Sequence, residues 1–164
     1  MKNCAVILAG GEGKRMNYDK PKTLSEVLGR PMLCWVMSAL RKAGIDDICV
    51  VKGFKKECVE EYLSTLDFSV ESVFQAERLG TGHAVMMAKD FLKKHSGNVV
   101  ILNGDAPFMD SKTIEDSLKA HIENDCAATV ISAKADVTAE LSVTKTEICV
   151  QLLSRKTLMR KLSK

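Results

Sequence analysis

Three short segments carry the residue types suited to chemistry. The first is Leu8-Ala9-Gly10-Gly11-Glu12-Gly13-Lys14-Arg15-Met16, followed by Pro21-Lys22, and it comes directly after an apolar, strand-like stretch. Glycines let backbone N–H groups approach phosphate oxygens with no Cβ in the way, and Arg15 and Lys22 supply charge that backbone dipoles only partly offset. Such a loop suits a nucleoside triphosphate. The guanidinium fork of Arg15 matches phosphate geometry, and Pro21 stiffens the backbone that carries Lys22. The spacing is not that of a Walker loop: Lys14 comes four residues after Gly10 with no Ser or Thr next, which argues against a P-loop ATPase.

The second segment is Asn103-Gly104-Asp105, which follows the apolar run Val99 to Leu102. A carboxylate placed there stands at the mouth of a sheet, where a hard cation such as Mg²⁺ can bridge it to phosphate oxygens. Alone, Asp105 would read as a loop aspartate capping the next turn; with a phosphate loop on the first strand, the metal role is favoured. In the third segment, Gln75 to Ala84, Thr81 sits between Gly80 and Gly82 ahead of a helix. A turn of this kind can offer groups to the edge of a base, and Gln75 can both donate and accept, as a uracil edge requires. Spacing alone favours the plainer alternative of a strand-to-helix turn capped by Thr81. His83 reads as a structural histidine at a helix start, and Met86 and Met87 as core fillers.

The elements that must position these segments alternate along the chain. Apolar, β-branched runs at Cys4 to Ala9, Ile48 to Val51, Phe68 to Phe74, Val99 to Leu102 and Ala127 to Ala133 read as strands. Between them, Pro31 to Ala43 (closed by Gly44), Lys55 to Ser64, Gly82 to Lys94 and Ser111 to Asn124 read as helices, with Ser111 as an approximate N-cap. This alternation predicts an α/β fold, Rossmann-like, with a mostly parallel sheet between two helical layers. The ligand crevice is expected at the carboxyl ends of the strands, where the Gly10 loop and Asp105 both fall.

The chain's 164 residues, 46% hydrophobic and 27% charged, suit one domain with a real core. Its apolar runs are strand-length, far from the roughly 20 residues that span a bilayer. The run after Lys2 leads into the glycine loop rather than a cleavage site, so a cytoplasmic protein is expected. Six cysteines without a C-x-x-C pair read as reduced core residues, with no zinc site. Charge is uneven: from Val137 onward six Lys and Arg face two acidic residues, and that stretch lacks Gly, Pro and aromatics.

Taken together, L-A-G-G-E-G-K-R-M, Pro21-Lys22, G-R-P-M at Gly29 to Met32, Q-A-E-R-L-G-T-G-H-A and N-G-D-A-P closely resemble the sugar-nucleotide pyrophosphorylases. The likeness is strongest to the uridylyltransferase domain fused, in its family, to a glucosamine-1-phosphate acetyltransferase, and covers Lys2 to about Asp136. It implies a nucleotidyltransferase fold and the reaction of UTP with N-acetylglucosamine 1-phosphate, giving UDP-N-acetylglucosamine and pyrophosphate. It also implies that Leu8, Ala9, Gly10, Gly11 and Gly13 meet the nucleotide, with Asn103 and Gly104 beside them. Arg15 and Lys22 would act on the phosphates, Gln75, Gly80 and Thr81 on the uracil, and Asp105 on Mg²⁺. The implied partners are those two small molecules, with neither nucleic acid nor membrane.

Asn103 stands where that family commonly has tyrosine, Gly11 where it has alanine and Lys14 where it has threonine. Downstream, the family's Y-G-R-I segment, the glutamate of I-V-E-x-K-D-A and two asparagines of the sugar pocket are missing. Yet Val137 to Ser142 can be encoded GTT ACG GCA GAA TTG TCC, which regrouped from the third nucleotide reads Y-G-R-I-V. Carried on in the same register, Gln151 to Met159 can yield A-I-V-E-Q-K-D-A-D. The reading is therefore a nucleotide-binding half at 1–136 and a frameshifted basic tail at 137–164, produced by a small deletion near codon 136, so that the fold is incomplete at its C-terminus and activity is impaired. A basic amphipathic helix using Leu152, Leu153, Leu158, Met159 and Leu162 is the lesser alternative.

Overall fold

The computed structural model describes residues 2–13, 20–77, 79–133 and 147–154. In chain order the elements are β1 (Cys4–Ala9), β2 (Glu26–Val27), β3 (Arg30–Pro31), α1 (Met32–Lys42), β4 (Ile48–Lys52), α2 (Lys56–Ser64) and β5 (Glu71–Phe74). They continue with α3 (Thr81–Met87), α4 (Lys89–Lys93), β6 (Val99–Asn103), α5 (Ser111–Glu123), β7 (Ala128–Ala133) and β8 (Glu147–Leu153), and a 3₁₀ turn occupies Lys22–Leu24.

Six strands form one sheet in the order β5-β4-β1-β6-β8-β7. β5, β4, β1 and β6 run parallel, whereas β8 is antiparallel to both β6 and β7. β1 lies at the centre because nearly every residue from Cys4 to Ala9 is apolar and buried, as a strand covered on both faces requires. Its side chains alternate between two cores. Ala5, Ile7 and Ala9 face Leu33, Leu40, Val59, Ile114 and Leu118 of α1, α2 and α5, while Cys4 and Val6 face Val85, Phe91 and Leu92 of α3 and α4. The layers are thus helix, sheet, helix, as the alternation predicts.

Local departures have local causes. The helix read over Gly82 to Lys94 is two helices, divided at Ala88 (φ −82°, ψ 12°). β5 begins at Glu71 rather than Phe68, since Phe68 and Val70 pack on the α1 core from the connecting loop. α5 is capped by Asp110 instead of Ser111: Asp110 Oδ1 accepts from Thr113 N at 2.8 Å and Oδ2 from Thr113 Oγ1 at 2.8 Å. α1 does end at Gly44, whose φ of 75° suits glycine.

Leu152 and Leu153 lie in β8 and not in an amphipathic helix, and Leu152 is fully buried beside Ile114 and Leu118. Leu158, Met159 and Leu162 lie outside the described residues. Met86 is 45% exposed, so only Met87 of that pair packs against the core. Cys4 and Cys49 are buried core thiols, and burial pushes the pKa of both up to about 12, so they stay protonated. Cys34, Cys58 and Cys126 are free and half-buried rather than core. Among the described residues no helix is long and apolar enough to cross a membrane.

Candidate functional site

The carboxyl ends of β1, β4, β5 and β6 surround a cleft of about 370 Å³, lined by Leu8, Gly10, Gly11, Lys22, Thr23, Gln75, Gly80, Thr81, Ala84, Asn103 and Asp105. The parallel register makes this convergence inevitable. Leu8 pairs with Val51 on one side and Asn103 on the other, so the residues that follow each strand leave the sheet at one level. Described residues of all three chemically equipped segments meet here.

Glycines let the loops come this close. A Cβ on Gly53 would stand 2.8 Å from both Cα and O of Gly10, and Phe54 N donates to Gly10 O at 3.3 Å, so the β1 and β4 loops touch backbone to backbone. Gly104 N donates to Leu8 O at 2.9 Å, and a side chain there would meet Thr23 Cγ2 at 2.9 Å. Gly13 has φ +63° and lies against the Lys22 stem. Gly13 and Gly104 thus shape the site through close approach and do not line the cleft. The Ala9 side chain faces the α1 core, so its main chain alone remains for a ligand. Arg15 and Lys14 lie outside the described residues.

Lys22 and Asp105, 83 positions apart, form an ion pair: Lys22 Nζ donates to Asp105 Oδ2 at 2.7 Å, with the side chains 39% and 35% exposed. The expected phosphate cation and the expected metal carboxylate neutralise each other, a pairing that their separate sequence contexts do not announce. The capping duty that would be the plainer use of Asp105 belongs to Asp110. Among the described residues no three His, Cys, Asp or Glu side chains gather as a metal cluster. Asp105 is therefore a single hard oxygen donor beside a polyanion-sized cleft. That donor set fits Mg²⁺, which takes one or two carboxylates and fills its remaining positions with phosphates and water.

Gln75 follows β5 and continues its ladder, donating its N–H to Lys52 O at 2.9 Å. Its side-chain Nε2 lies 3.2 Å from Gly80 O and 3.0 Å from His83 Nδ1. Its Oε1 stands over Gly10, 3.2 Å from where a Cβ would be. Gly80 (φ 95°) and not Thr81 is the N-cap residue of α3, which leaves Thr81 on the cleft wall.

Sequence reasoning missed Gly53, Thr23 and Lys52. Gly53 comes directly after a buried strand, as Gly10 does, and that parallel was a usable signal. Thr23 is 3% exposed, and its Oγ1 is buried without a hydrogen-bond partner. Buried Lys52 donates to Ser72 Oγ at 2.9 Å and pairs with Glu60, whose carboxyl the ammonium holds below the ordinary range. It braces the β4 end behind the cleft.

The chain is 47% identical over 133 residues to the "Bifunctional protein GlmU" of Clostridium beijerinckii, covering 81% of this chain and 29% of that protein. The same-named protein of Clostridium tetani is 46% identical over 136 residues, 83% of this chain and 30% of that one. The chain thus spans less than a third of the length of these curated relatives. A UDP-glucose pyrophosphorylase from Acinetobacter baumanii superposes with a TM-score of 0.76 over 97% of this chain and 76% of its own, at 19% identity, a likeness of fold alone. Residues 5–162, β8 included, match the family described as the MobA-like NTP transferase domain, and the chain belongs to that family.

Proposed function

We propose that the cleft binds UTP with Mg²⁺ and that the chain is the nucleotide half of a UDP-N-acetylglucosamine diphosphorylase. The observation that carries this is the joining of three elements in one cleft: the glycine loop after β1, the Lys22–Asp105 pair, and the Gln75–Gly80–Thr81 wall. Similarity to the GlmU proteins supports the choice of UTP and N-acetylglucosamine 1-phosphate.

The reaction is in-line displacement. A phosphate oxygen of the sugar 1-phosphate attacks the α-phosphorus of UTP, the bond from that phosphorus to the bridging oxygen breaks, and pyrophosphate leaves. No protein base is required, because the attacking phosphate is already ionised. Catalysis then consists of positioning and charge stabilisation. Lys22 leaves Asp105 for the β- and γ-phosphates, with Arg15 as the second cation. Backbone N–H groups of Gly10 and Gly11 reach the phosphates unobstructed, and Gln75 and Thr81 hold the base. Mg²⁺, held by Asp105 and the phosphates, would supply additional neutralisation of charge on the reacting oxygens.

The alternate reading frame supports a second element of the proposal. Residues 137–164 are a shifted-frame tail, and the sugar pocket is impaired, so nucleotide binding outlasts turnover. The β-competent run Ile148, Cys149, Val150 fills a strand position in either case. Titrating UTP with Mg²⁺ by calorimetry and following pyrophosphate release with N-acetylglucosamine 1-phosphate tests both parts. Saturable UTP binding with little release is the expected result. Absence of UTP binding refutes the nucleotide site, and brisk release abolished by Asp105→Ala refutes the impaired half.

A further inference from the structure

The function so described leaves His83 without a role, yet its ring nitrogen stands 3.0 Å from the Gln75 side chain, which reaches both Gly80 and the glycine loop. We infer that His83 is a positioning residue for base selection: it fixes which end of the Gln75 amide faces the nucleotide. The inference rests on the uridylyl reading above.

The amide's orientation follows from its neighbours. Gly80 O is a carbonyl, able only to accept, and it already takes Ala84 N–H at 3.1 Å. Turning Gln75 so that Oε1 met Gly80 O at 3.2 Å would oppose two acceptors, so the group facing Gly80 is the NH₂. One N–H of that NH₂ goes to Gly80 O. The other points at His83 Nδ1, which accepts it in the tautomer that carries its hydrogen on Nε2. Both donors of Gln75 are thereby spent on protein. The end left over Gly10 is Oε1, an acceptor.

An acceptor there discriminates between pyrimidines. Uracil carries N3–H, which donates to Oε1, whereas cytosine has a lone pair at N3 that opposes it. The same amide reversed would present N–H and favour cytosine. The orientation of one buried amide, 7% exposed and held from behind by its backbone N–H on Lys52 O, therefore decides the base. Gly80 O supplies half of the hold on that amide and His83 the other half.

The test compares dissociation constants for UTP and CTP, with Mg²⁺, across wild type, His83→Phe and His83→Asn, using the whole 164-residue chain. Phe keeps the ring and loses the acceptor; Asn places Oδ1 near the position of Nδ1 and keeps it. His83→Phe should lower the UTP-over-CTP preference about three- to tenfold, the weight of one neutral hydrogen bond, and His83→Asn should restore it. A merely structural histidine would move both affinities by one factor, and Phe and Asn would behave alike; either result overturns the inference. If Gln75→Ala erases the preference while His83→Phe leaves it intact, the inference fails and the uridylyl reading stands. If wild type prefers neither nucleotide, both fail. Melting temperatures of the variants exclude a folding defect as the cause.

Discussion

Replacing Asp105 with asparagine should strengthen nucleotide binding in one buffer and weaken it in another. In the free protein Lys22 Nζ sits 2.7 Å from Asp105 Oδ2, with both side chains a little over one-third exposed. A phosphate that claims Lys22 must first break this pair and must then tolerate a bare carboxylate alongside. Exposed pairs are worth about 0.2–1 kcal/mol, and a short, half-buried, hydrogen-bonded one belongs near the upper end. A contribution of about 1 kcal/mol corresponds to roughly a fivefold change in dissociation constant. The asparagine side chain keeps the shape of the carboxylate and loses its charge. With a chelator present, Asp105→Asn should therefore bind UTP about fivefold more tightly than wild type. With Mg²⁺ the order should reverse, because a charged ligand has gone; about 1.5 kcal/mol, or roughly tenfold, is the expected deficit. Calorimetry or fluorescence competition at fixed ionic strength measures both, and the metal-free gain should shrink in high salt as the pair is screened. A variant that binds metal-free UTP no better than wild type would show that Lys22 does not have to leave Asp105, and the two-partner role of this lysine would be refuted.

Gly53→Ala places a Cβ 2.8 Å from Gly10 backbone atoms, so one of the two loops must shift; a loss of about 1–3 kcal/mol in stability and weaker UTP binding are expected by chemical denaturation and titration. Leu152→Ala empties a fully buried position between α5 and the sheet and should cost about 2–5 kcal/mol, whereas a stability change near zero would mean that β8 does not pack. His121 is buried, its Nδ1 is 2.8 Å from Thr129 Oγ1 and its Nε2 lacks a partner, and burial lowers its affinity for a proton. The unfolded chain therefore takes up the proton first as pH falls below about 6.5. Stability should decline there by at most about 1.4 kcal/mol per pH unit; denaturation curves at about pH 7.5 and about pH 5.5, either side of the ordinary histidine value, should differ for wild type and much less for His121→Leu.

The fold was legible where one interaction dominates. Cys4 to Ala9 is apolar throughout and is the doubly covered central strand; Gly44 ends α1 because the chain must turn there with positive φ. Boundaries slipped where tertiary packing decides: Phe68 and Val70 have strand-like side chains but satisfy them by packing from a loop, and Ala88 divides a helix whose apolar periodicity runs on unbroken. Strand β8 was invisible beside the tail's charge, since β-pairing with Val99 to Leu102 depends on neighbours 48 to 54 positions earlier. In the site, loop residues with distinctive chemistry, such as Lys22, Gln75 and Asp105, stood out by type and spacing. Residues that matter through what they lack or where they touch did not: Gly53 by its missing Cβ, Thr23 by its stranded hydroxyl, and the Lys22–Asp105 contact itself.

The central place of β1 also sets a clock for biosynthesis. This strand leaves the ribosome before either of its neighbours: one edge waits for Ile48 to Lys52 and the other for Val99 to Asn103. At about 5–20 residues per second, the 95 residues between Leu8 and its partner Asn103 take roughly 5–20 s to make. For that interval an apolar segment has an unpaired edge, and until α3 and α4 have been made no helix covers one of its faces, a condition that favours association with other nascent chains. The strand that anchors the glycine loop in the finished protein is thus a segment open to association while the protein is being made.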